Sequence, residues 1–340
     1  FCGAARTGRD AGRLFQTQNV PRPTLQPWEI ELAIRAMKAD CEDLLYENVS
    51  EICVNAVRGV IASGEGCKLV VADLSNIEGR FAAWLAGEEW KLKAFRDYDK
   101  GIGHDLYILA YAKSFNMRPE DVTKALRQIG KVMELAFQFG GAVGAFATMG
   151  ANYGVSMAED DVVTLVKAWR KAHPRIVSMW YAIEDAIKSA IRFPSERFEV
   201  RDLSIDFKVV AGINWLRIRL PSGRFLCYPS PQLDDAGKLS YMGVNQYSRK
   251  WSRLKTYGGK LAENVTQAAS RDVLAGNMPA IEAAGYQIVL SVHDENITEA
   301  EDRDEFNADH LAGLMATTPT WAKGLPLAAA GFEAYRYRKD

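Results

Sequence analysis

Two aspartates, Asp73 and Asp294, each stand where a short apolar run stops. Leu69 to Ala72 is apolar, partly β-branched and without helical period, so it reads as a buried strand with Asp73 at its tip. Gln287 to Val292 reads as a second such strand, followed by His293, Asp294 and Glu295, with Asn296 to Glu299 able to return as its hairpin mate. If the two strands lie side by side, their carboxylates can share divalent ions, the arrangement that in-line phosphoryl displacement uses: one ion activates the attacking hydroxyl and the other holds a triphosphate. Mg²⁺ takes oxygen ligands and keeps waters, so two aspartates and substrate phosphates suffice. Taken singly, each acid also fits an ordinary strand end, and His293-Asp294-Glu295 an ordinary polar turn. The pairing carries the chemical reading.

A third stretch supplies cations. Arg127, Lys131, Leu135 and Phe139 step by four, which on a helix makes one slowly rotating stripe of two cations, an apolar residue and an aromatic. Such a face can hold a triphosphate at its charged end and stack a base at its aromatic end. It also fits a solvated helix whose aromatic end is core. The glycines that follow, Gly140, Gly141 and Gly144, close a helix instead of following a strand, so they are not a dinucleotide-binding loop. A second basic stretch holds Arg249, Lys250, Arg253, Lys255 and Lys260, interleaved with Tyr247, Trp251 and Tyr257 and free of acids. Phosphate contact with base stacking is one reading, a solvated cationic face the other.

The elements that must position these groups follow from periodicity. Up to Pro27 the chain is rich in Gly, Pro, Arg and Gln and reads as irregular. Trp28 to Arg58 has apolar residues at helical spacing and predicts two helices; Ser63 to Gly66 is a turn into the first strand. Ser75 and Glu78 are spaced as a capping box for a helix through Phe81, Trp84 and Leu85. Helical periodicity then dominates to about Ala190, broken near Gly101 to Gly103, at Pro119 and in the glycines of 140–154. Asn214 to Tyr228 reads as a hairpin around Ser222-Gly223, and Asn264 to Leu274 as a helix. The sum is a sheet with a helical lobe inserted, in the α+β class.

At 340 residues the chain can bury a large core, and 48% apolar with 25% charged residues is ordinary for a soluble globular protein. The net charge of −1 gives no global attraction to nucleic acid, so a DNA partner needs locally concentrated charge. The 5 cysteines form no Cys-x-x-Cys, which supports neither a disulfide framework nor a zinc ribbon and makes a reducing, cytoplasmic setting the expectation. No apolar run is long enough to span a bilayer, so no membrane partner is expected. With no initiating Met and no signal-peptide core, the chain reads as a fragment of something longer.

The stretches, in this order, resemble motifs A, B and C of family A DNA polymerases, the DNA polymerase I group, and look most like its bacteriophage and prophage branch. Asp-Leu-Ser-Asn-Ile-Glu-Gly-Arg at 73–80 is similar to the family's Asp-Tyr-Ser-Gln-Ile-Glu-Leu-Arg. Arg127 to Gly140 is similar to its fingers-helix pattern, and Val292-His293-Asp294-Glu295 to its final catalytic turn. Thr7-Gly8-Arg9 and Gln18-Asn19-Val20-Pro21 resemble its Thr-Gly-Arg and Gln-Asn-Ile-Pro elements, and the likeness extends to Trp321 through Leu327.

The resemblance implies a right-hand polymerase core. Its palm is 1–84 and 257–340, the latter with the catalytic hairpin, and a mainly helical fingers lobe of 85–256 is inserted. It implies templated transfer of a nucleotide from a deoxynucleoside triphosphate to the 3′-OH of a primer on a DNA template, with two Mg²⁺ ions, Mn²⁺ being an alternative. Asp73 and Asp294 are the implied metal ligands. Glu78 is the implied gate against a ribose 2′-OH. Arg127, Lys131 and His104 are the implied triphosphate contacts, Lys131 being counted with the catalytic residues, and Phe139 the implied stacking residue. Arg9, Gln18, Asn19, Gln267, His293 and Glu295 are the implied DNA contacts. Four positions depart from the common pattern: Phe139 where Tyr is usual, Leu135 where an aromatic is common, and Asn76 and Gly79. The family's thumb and exonuclease precede the Thr-Gly-Arg element, so they are expected elsewhere in a longer polymerase, and the piece alone is expected to grip DNA weakly. The alternatives are a single-subunit RNA polymerase-like enzyme and a non-catalytic DNA-binding fragment lacking its thumb.

Overall fold

The computed structural model describes residues 6–10, 12, 16–245 and 247–338; the side chain of Gln18 lies outside the described residues. In chain order, helices α1 (Pro27–Lys38), α2 (Glu42–Leu45) and α3 (Val49–Ala56) precede strand β1 (Cys67–Leu74). Seven helices follow: α4 (Ile77–Ala86), α5 (Glu89–Asp99), α6 (Leu106–Phe115), α7 (Lys124–Phe137), α8 (Val143–Tyr153), α9 (Glu159–Ala172) and α10 (Pro174–Arg192). Strands β2 (Arg197–Val200), β3 (Leu203–Val210), β4 (Ile213–Arg219), β5 (Phe225–Pro229), β6 (Gln232–Leu233), β7 (Leu239–Val244) and β8 (Trp251–Lys255) come next. The chain ends with α11 (Gly258–Ala283), β9 (Gln287–Val292), β10 (Glu295–Glu301), α12 (Ala308–Met315) and β11 (Ala329–Ala334). The fold is a mixture of helix and antiparallel sheet in two compact units: unit 1 holds residues up to 75, 273–317 and from 327 onward, unit 2 holds 76–272 and 318–326.

Unit 1 is built on a four-stranded sheet in the order β11-β1-β10-β9, all antiparallel. Five consecutive residues of β1, Lys68 to Ala72, are buried, because α12 packs over β1 and β11 while Leu69, Val71, Val292, Ile297 and Tyr337 form the core cluster. A strand covered on both faces reads as a continuous apolar run rather than an alternating one, as the sequence has it. The strand continues through Asp73 to Leu74, so the carboxylate sits just inside the strand end.

β11 has no counterpart among the sequence expectations. Ala329-Ala330-Gly331 has little β propensity, and Gly331 is there because a Cβ would lie 2.2 Å from the carbonyl oxygen of Val71. The two helices expected over Trp28 to Arg58 are three, because the chain breaks at Asp40, whose φ of 50° is left-handed, and again after Leu45, where Asn48 starts α3 by accepting from the N–H of Glu51 at 3.1 Å. α11 overruns its expected end at Leu274: Gly276 and Pro279 read as helix breakers, yet both lie inside it.

In unit 2, β2-β3-β4-β5 form one antiparallel sheet and β6-β7-β8 another. Only the β4–β5 hairpin was legible in the sequence. The capping-box expectation for α4 is corrected by one residue: the N-cap is Asn76, in left-handed conformation at φ 50°, so N3 is Gly79 and not Glu78. Ser75 lies outside the cap, its N–H donating to the carbonyl of Ala328 at 2.9 Å.

Candidate active site

In unit 1, β1 and β10 are neighbours with Asp73 opposite Glu295, and the N–H of Leu74 donates to the carbonyl of Asp294 at 3.0 Å. β9 and β10 are joined by only two residues, His293 and Asp294, with Val292 opposite Glu295. So short a turn needs positive φ, and His293 takes it at 60°. Asp73 and Asp294 are thereby held at adjacent strand ends, both half-buried, with His293 exposed beside them.

The turn is braced from behind. Glu295 is 2% exposed and accepts the hydroxyl of Tyr337 at 2.5 Å. Burial and then the carboxylate of Glu295 push the Tyr337 phenol well above its usual range, so it stays a donor. Arg58 lies over the Tyr337 ring at 5.7 Å and donates to the carbonyls of Val20 at 2.5 Å and Pro21 at 3.1 Å. Asn55 accepts from the backbone of Thr24 and Leu25 at 2.6 and 3.0 Å. The segment carrying Asn19 is thus tied through Arg58 and Tyr337 to the turn carrying Asp294. Asn19 itself is exposed and donates to Gln16 at 2.5 Å, and Arg9 is half-buried.

Among the described residues no group of three or more His, Cys, Asp and Glu gathers to hold a metal. Two carboxylates at neighbouring strand ends are all-oxygen, hard donors, too few for a closed cage and suited to an ion that keeps waters and takes substrate phosphates. That donor set fits Mg²⁺ and does not fit a structural zinc.

In unit 2, α7 is the cationic element, and Thr123 caps it by accepting from Leu126 at 3.3 Å. Arg127 and Lys131 are half-buried and Leu135 is 40% exposed, so the stripe faces outward while Val132, Met133, Ala136 and Phe137 face the core. Phe139 departs from the expected helical stripe: α7 ends at Phe137, and Phe139 lies in the closing turn before Gly140, whose φ is 81°. It is half-buried there, with its carbonyl accepting from the Tyr257 hydroxyl at 3.5 Å.

The cations are pre-set. Arg127 pairs with Asp105 at 2.5 Å, and the same carboxylate caps α6 through the N–H groups of Tyr107 and Ile108. The Lys131 ammonium stands 4.3 Å from the ring centre of Tyr153 on α8. His104 is in the loop before α6, side chain 42% exposed, 3.4 Å from Glu120.

The inner face of α7 carries a charge that the stripe argument missed. Glu134 is 4% exposed and accepts from Lys91 of α5 at 2.5 Å and from the indole of Trp169 at 2.7 Å, with the ring of His173 at 3.0 Å. Lys91 also donates to Gln138 at 3.0 Å. Burial alone would push the Glu134 carboxyl up, but Lys91 and His173 outweigh it and hold it far below the usual carboxylate range. A Glu amid Val132, Met133, Ala136 and Phe137 breaks the apolar face, and that was the available signal.

Glu78 is half-buried in the first turn of α4. Its flanking departures from the family pattern are coupled: a Cβ at Gly79 would lie 2.4 Å from the side-chain oxygen of Asn76, so the small residue makes room for the left-handed Asn cap. Two residues on, Arg80 is fixed by both carboxylate oxygens of Asp99 at 2.6 Å and by the Phe95 ring at 4.5 Å, which fastens α4 to α5. Gln267 is half-buried on α11 and donates to Glu263 at 3.3 Å.

The structure thus collects the candidates in two sets. Asp73, Asp294, His293, Glu295, Asn19 and Arg9 belong to unit 1, and Glu78, His104, Arg127, Lys131, Phe139 and Gln267 to unit 2.

No family model matches the sequence. A DNA polymerase of Bacillus phage SP02 is 41% identical over 351 aligned residues, covering 100% of this chain and 52% of that protein. DNA polymerase I of Aquifex aeolicus is 27% identical over 35% of this chain, and the thermostable DNA polymerase I of Thermus thermophilus 25% over 35%; the matches cover 21% and 13% of those proteins. Among solved structures, the POL domain of Pol1 from M. smegmatis, in complex with DNA primer-template and dNTP, has the same fold at a TM-score of 0.60. It shares 18% identity, and the match covers 98% of this chain and 46% of that one. The chain therefore spans about half the length of its phage relative. Along its whole length the chain is thus similar to a phage DNA polymerase, over about half of that protein, and it shares the fold of a solved polymerase domain.

Proposed function

We propose that this chain carries the nucleotidyl-transfer centre of a DNA-directed DNA polymerase, adding deoxynucleotides to a primer 3′-OH on a DNA template. The observation that carries the reading is the register that sets Asp73 and Asp294 at adjacent strand ends, with Leu74 bonded to Asp294 at 3.0 Å. Residues 1–84 and 257–340 serve as the palm and 85–256 as the fingers, and the remaining length of a polymerase such as the phage relative would supply thumb and exonuclease. The setting is the cytoplasm of a bacterial or phage-infected cell; no helix among the described residues is long and apolar enough to cross a membrane.

Asp73 and Asp294 would hold two Mg²⁺ ions, with Mn²⁺ able to replace them; when bound, these neutralise phosphate charge and lower the pKa of the attacking hydroxyl. The protein's own groups supply position. Lys131 and Arg127 neutralise the triphosphate, and the Asp105 pair orients the Arg127 guanidinium before substrate arrives. His104 adds a further phosphate contact, and Phe139 offers its ring to the incoming base. Glu78, held in the first turn of α4, leaves no room for a ribose 2′-OH. His293 and Glu295 support the primer end, Glu295 through the bonded turn. Arg9, Asn19, Gln18 and Gln267 contact the primer–template.

The test is extension of a labelled primer with Mg²⁺ and deoxynucleoside triphosphates. Wild type extends stepwise, and Lys131→Ala raises the KM for deoxynucleotide by roughly tenfold or more, as loss of a charge-assisted contact of about 1.5–3 kcal/mol requires. Glu78→Ala admits ribonucleotides that wild type rejects. Ribonucleotide use by wild type equal to deoxynucleotide use would mark an RNA polymerase instead. DNA binding without extension would mark a fragment that lacks its thumb, and primer degradation without nucleotides a nuclease.

A further inference from the structure

The three-stranded sheet β6-β7-β8 has an inside and an outside. Tyr241 on β7 is 7% exposed and meets Tyr228 of β5 edge-on at 5.0 Å, which fixes the buried face. On the opposite face of the edge strand β8, Trp251, Arg253 and Lys255 alternate and are all exposed, Trp251 by 61%. Side chains at this period stand about 7 Å apart along one line. Exposed Lys250 and Tyr247, the latter 95% exposed, precede the strand in sequence, and Tyr257, 49% exposed, follows it. Neither Lys250 nor Lys255 has a carboxylate within ion-pair reach among the described residues. Arg253 is steadied by the Ser230 carbonyl at 3.1 Å and the Ser240 hydroxyl at 3.3 Å, contacts that leave its charge uncompensated.

Lysines on an edge strand have an ordinary use in keeping other strands from pairing with it. That use does not call for an indole on the strand and two phenol rings exposed in the segments flanking it, which costs solubility and favours association. Cations alternating with exposed aromatics match a partner with regularly spaced negative charge and accessible flat rings, and duplex DNA offers the first without the second, its bases being stacked inside. An unpaired strand offers both. The segment after the strand also leads somewhere: Tyr257 touches the turn that closes α7, its hydroxyl 3.5 Å from the Phe139 carbonyl, and a Cβ at Gly259 would lie 2.3 Å from that oxygen. Within unit 2 the segment after the basic strand therefore reaches the turn that carries Phe139.

We infer that the outer face of β8 binds the single-stranded DNA template ahead of the templating base, with Trp251 and Tyr257 stacking bases and Lys250, Arg253 and Lys255 holding phosphates. The assignment of that strand as template rests on the polymerase reading; the binding of single-stranded DNA does not, so the two are separable.

The experiment is fluorescence anisotropy of a labelled oligo-dT of about sixteen nucleotides, the upper range of site size on such platforms. Trp251→Ala weakens binding by roughly tenfold and Trp251→Phe restores most of it, since a ring suffices for stacking. Lys250→Gln with Lys255→Gln reduces the slope of log K against log salt by about 1.4, two released counterions at single-strand density. In parallel, primer extension compares templates with one-nucleotide and longer overhangs. Wild type shows a lower KM for the longer overhang, and in Trp251→Ala combined with Lys255→Gln the two KM values converge. Oligo-dT affinity within twofold of wild type with an unchanged salt slope overturns the inference, whether or not the chain polymerises. Variants that lose oligo-dT affinity in a chain that extends no primer overturn the template assignment through the polymerase reading on which it rests.

Discussion

Asp294→Asn abolishes nucleotide addition, by about a thousandfold or more, and leaves the protein folded. The substitution keeps the size of the side chain and the backbone bond from Leu74, so the two-residue turn between β9 and β10 survives. It removes the formal charge of one of the two candidate metal ligands, Asp73 and Asp294. A thousandfold corresponds to about 4 kcal/mol of transition-state stabilisation, within what charge neutralisation at a transferring phosphoryl group supplies. Asp73→Asn gives a loss of the same order, and the double variant is scarcely worse than either alone, because the two carboxylates act as one site. Single-turnover extension with a saturating primer–template reads the rate, and thermal melting reads the fold. A variant that keeps more than a tenth of the wild-type rate, with melting unchanged, removes Asp294 from the centre.

Lys91→Met destabilises unit 2 by about 3–5 kcal/mol, because it strands the Glu134 carboxylate in the core with only Trp169 and His173 to answer it. Lys91→Met combined with Glu134→Gln recovers much of that loss, since neutralising both partners leaves no buried charge. Denaturant unfolding of the whole chain, followed by tryptophan fluorescence because Trp169 sits in the network, measures both. The pH dependence has a definite sign. The Glu134 carboxyl is depressed in the folded protein, so its stabilisation is complete above the unfolded value of about 4.3 and is lost as pH falls toward the lowered folded value. Wild type therefore loses stability below about pH 4 in a way that the double variant does not. The network has a functional side as well. Glu134 is one turn of α7 from Lys131, and its partners lie on α5, on α9 and at the start of α10, so the inner face of α7 fixes how the outer face presents its cations.

How far the sequence disclosed this depends on how local each feature is. β1 was readable because a strand buried on both faces leaves its mark within eight residues; β9 was readable as a strand from its apolar run, but the burial expected of it is corrected, since it is the edge strand of its sheet with Val289 41% exposed. The pairing of Asp73 with Asp294 was readable only as a condition, since 221 positions part them in the numbering; the β1–β10 register supplies what the sequence lacked. β11 was unreadable because its residues are chosen to let a backbone approach Val71 and not for strand propensity. Phe139 was misplaced on the helix because a spacing of four continues on paper past Phe137, where the helix ends, into the turn completed by Gly140 at positive φ. The bond from Tyr337 to Glu295 joins residues with no local pattern at all, whereas Glu134 announced itself as a charge on an apolar face.

The central claim, that paired carboxylates and a cationic helix serve templated DNA synthesis, is tested most directly by single-nucleotide addition. The chain is given Mg²⁺, a labelled primer and four templates that differ only in the base opposite the first added position, each with the four deoxynucleotides in turn. The account predicts addition of the complementary deoxynucleotide on every template, at rates at least a hundredfold above any mismatch, the order that closure on a correct pair contributes. Addition that ignores the template base, or a measurable affinity for the primer–template with no addition at all, would contradict it.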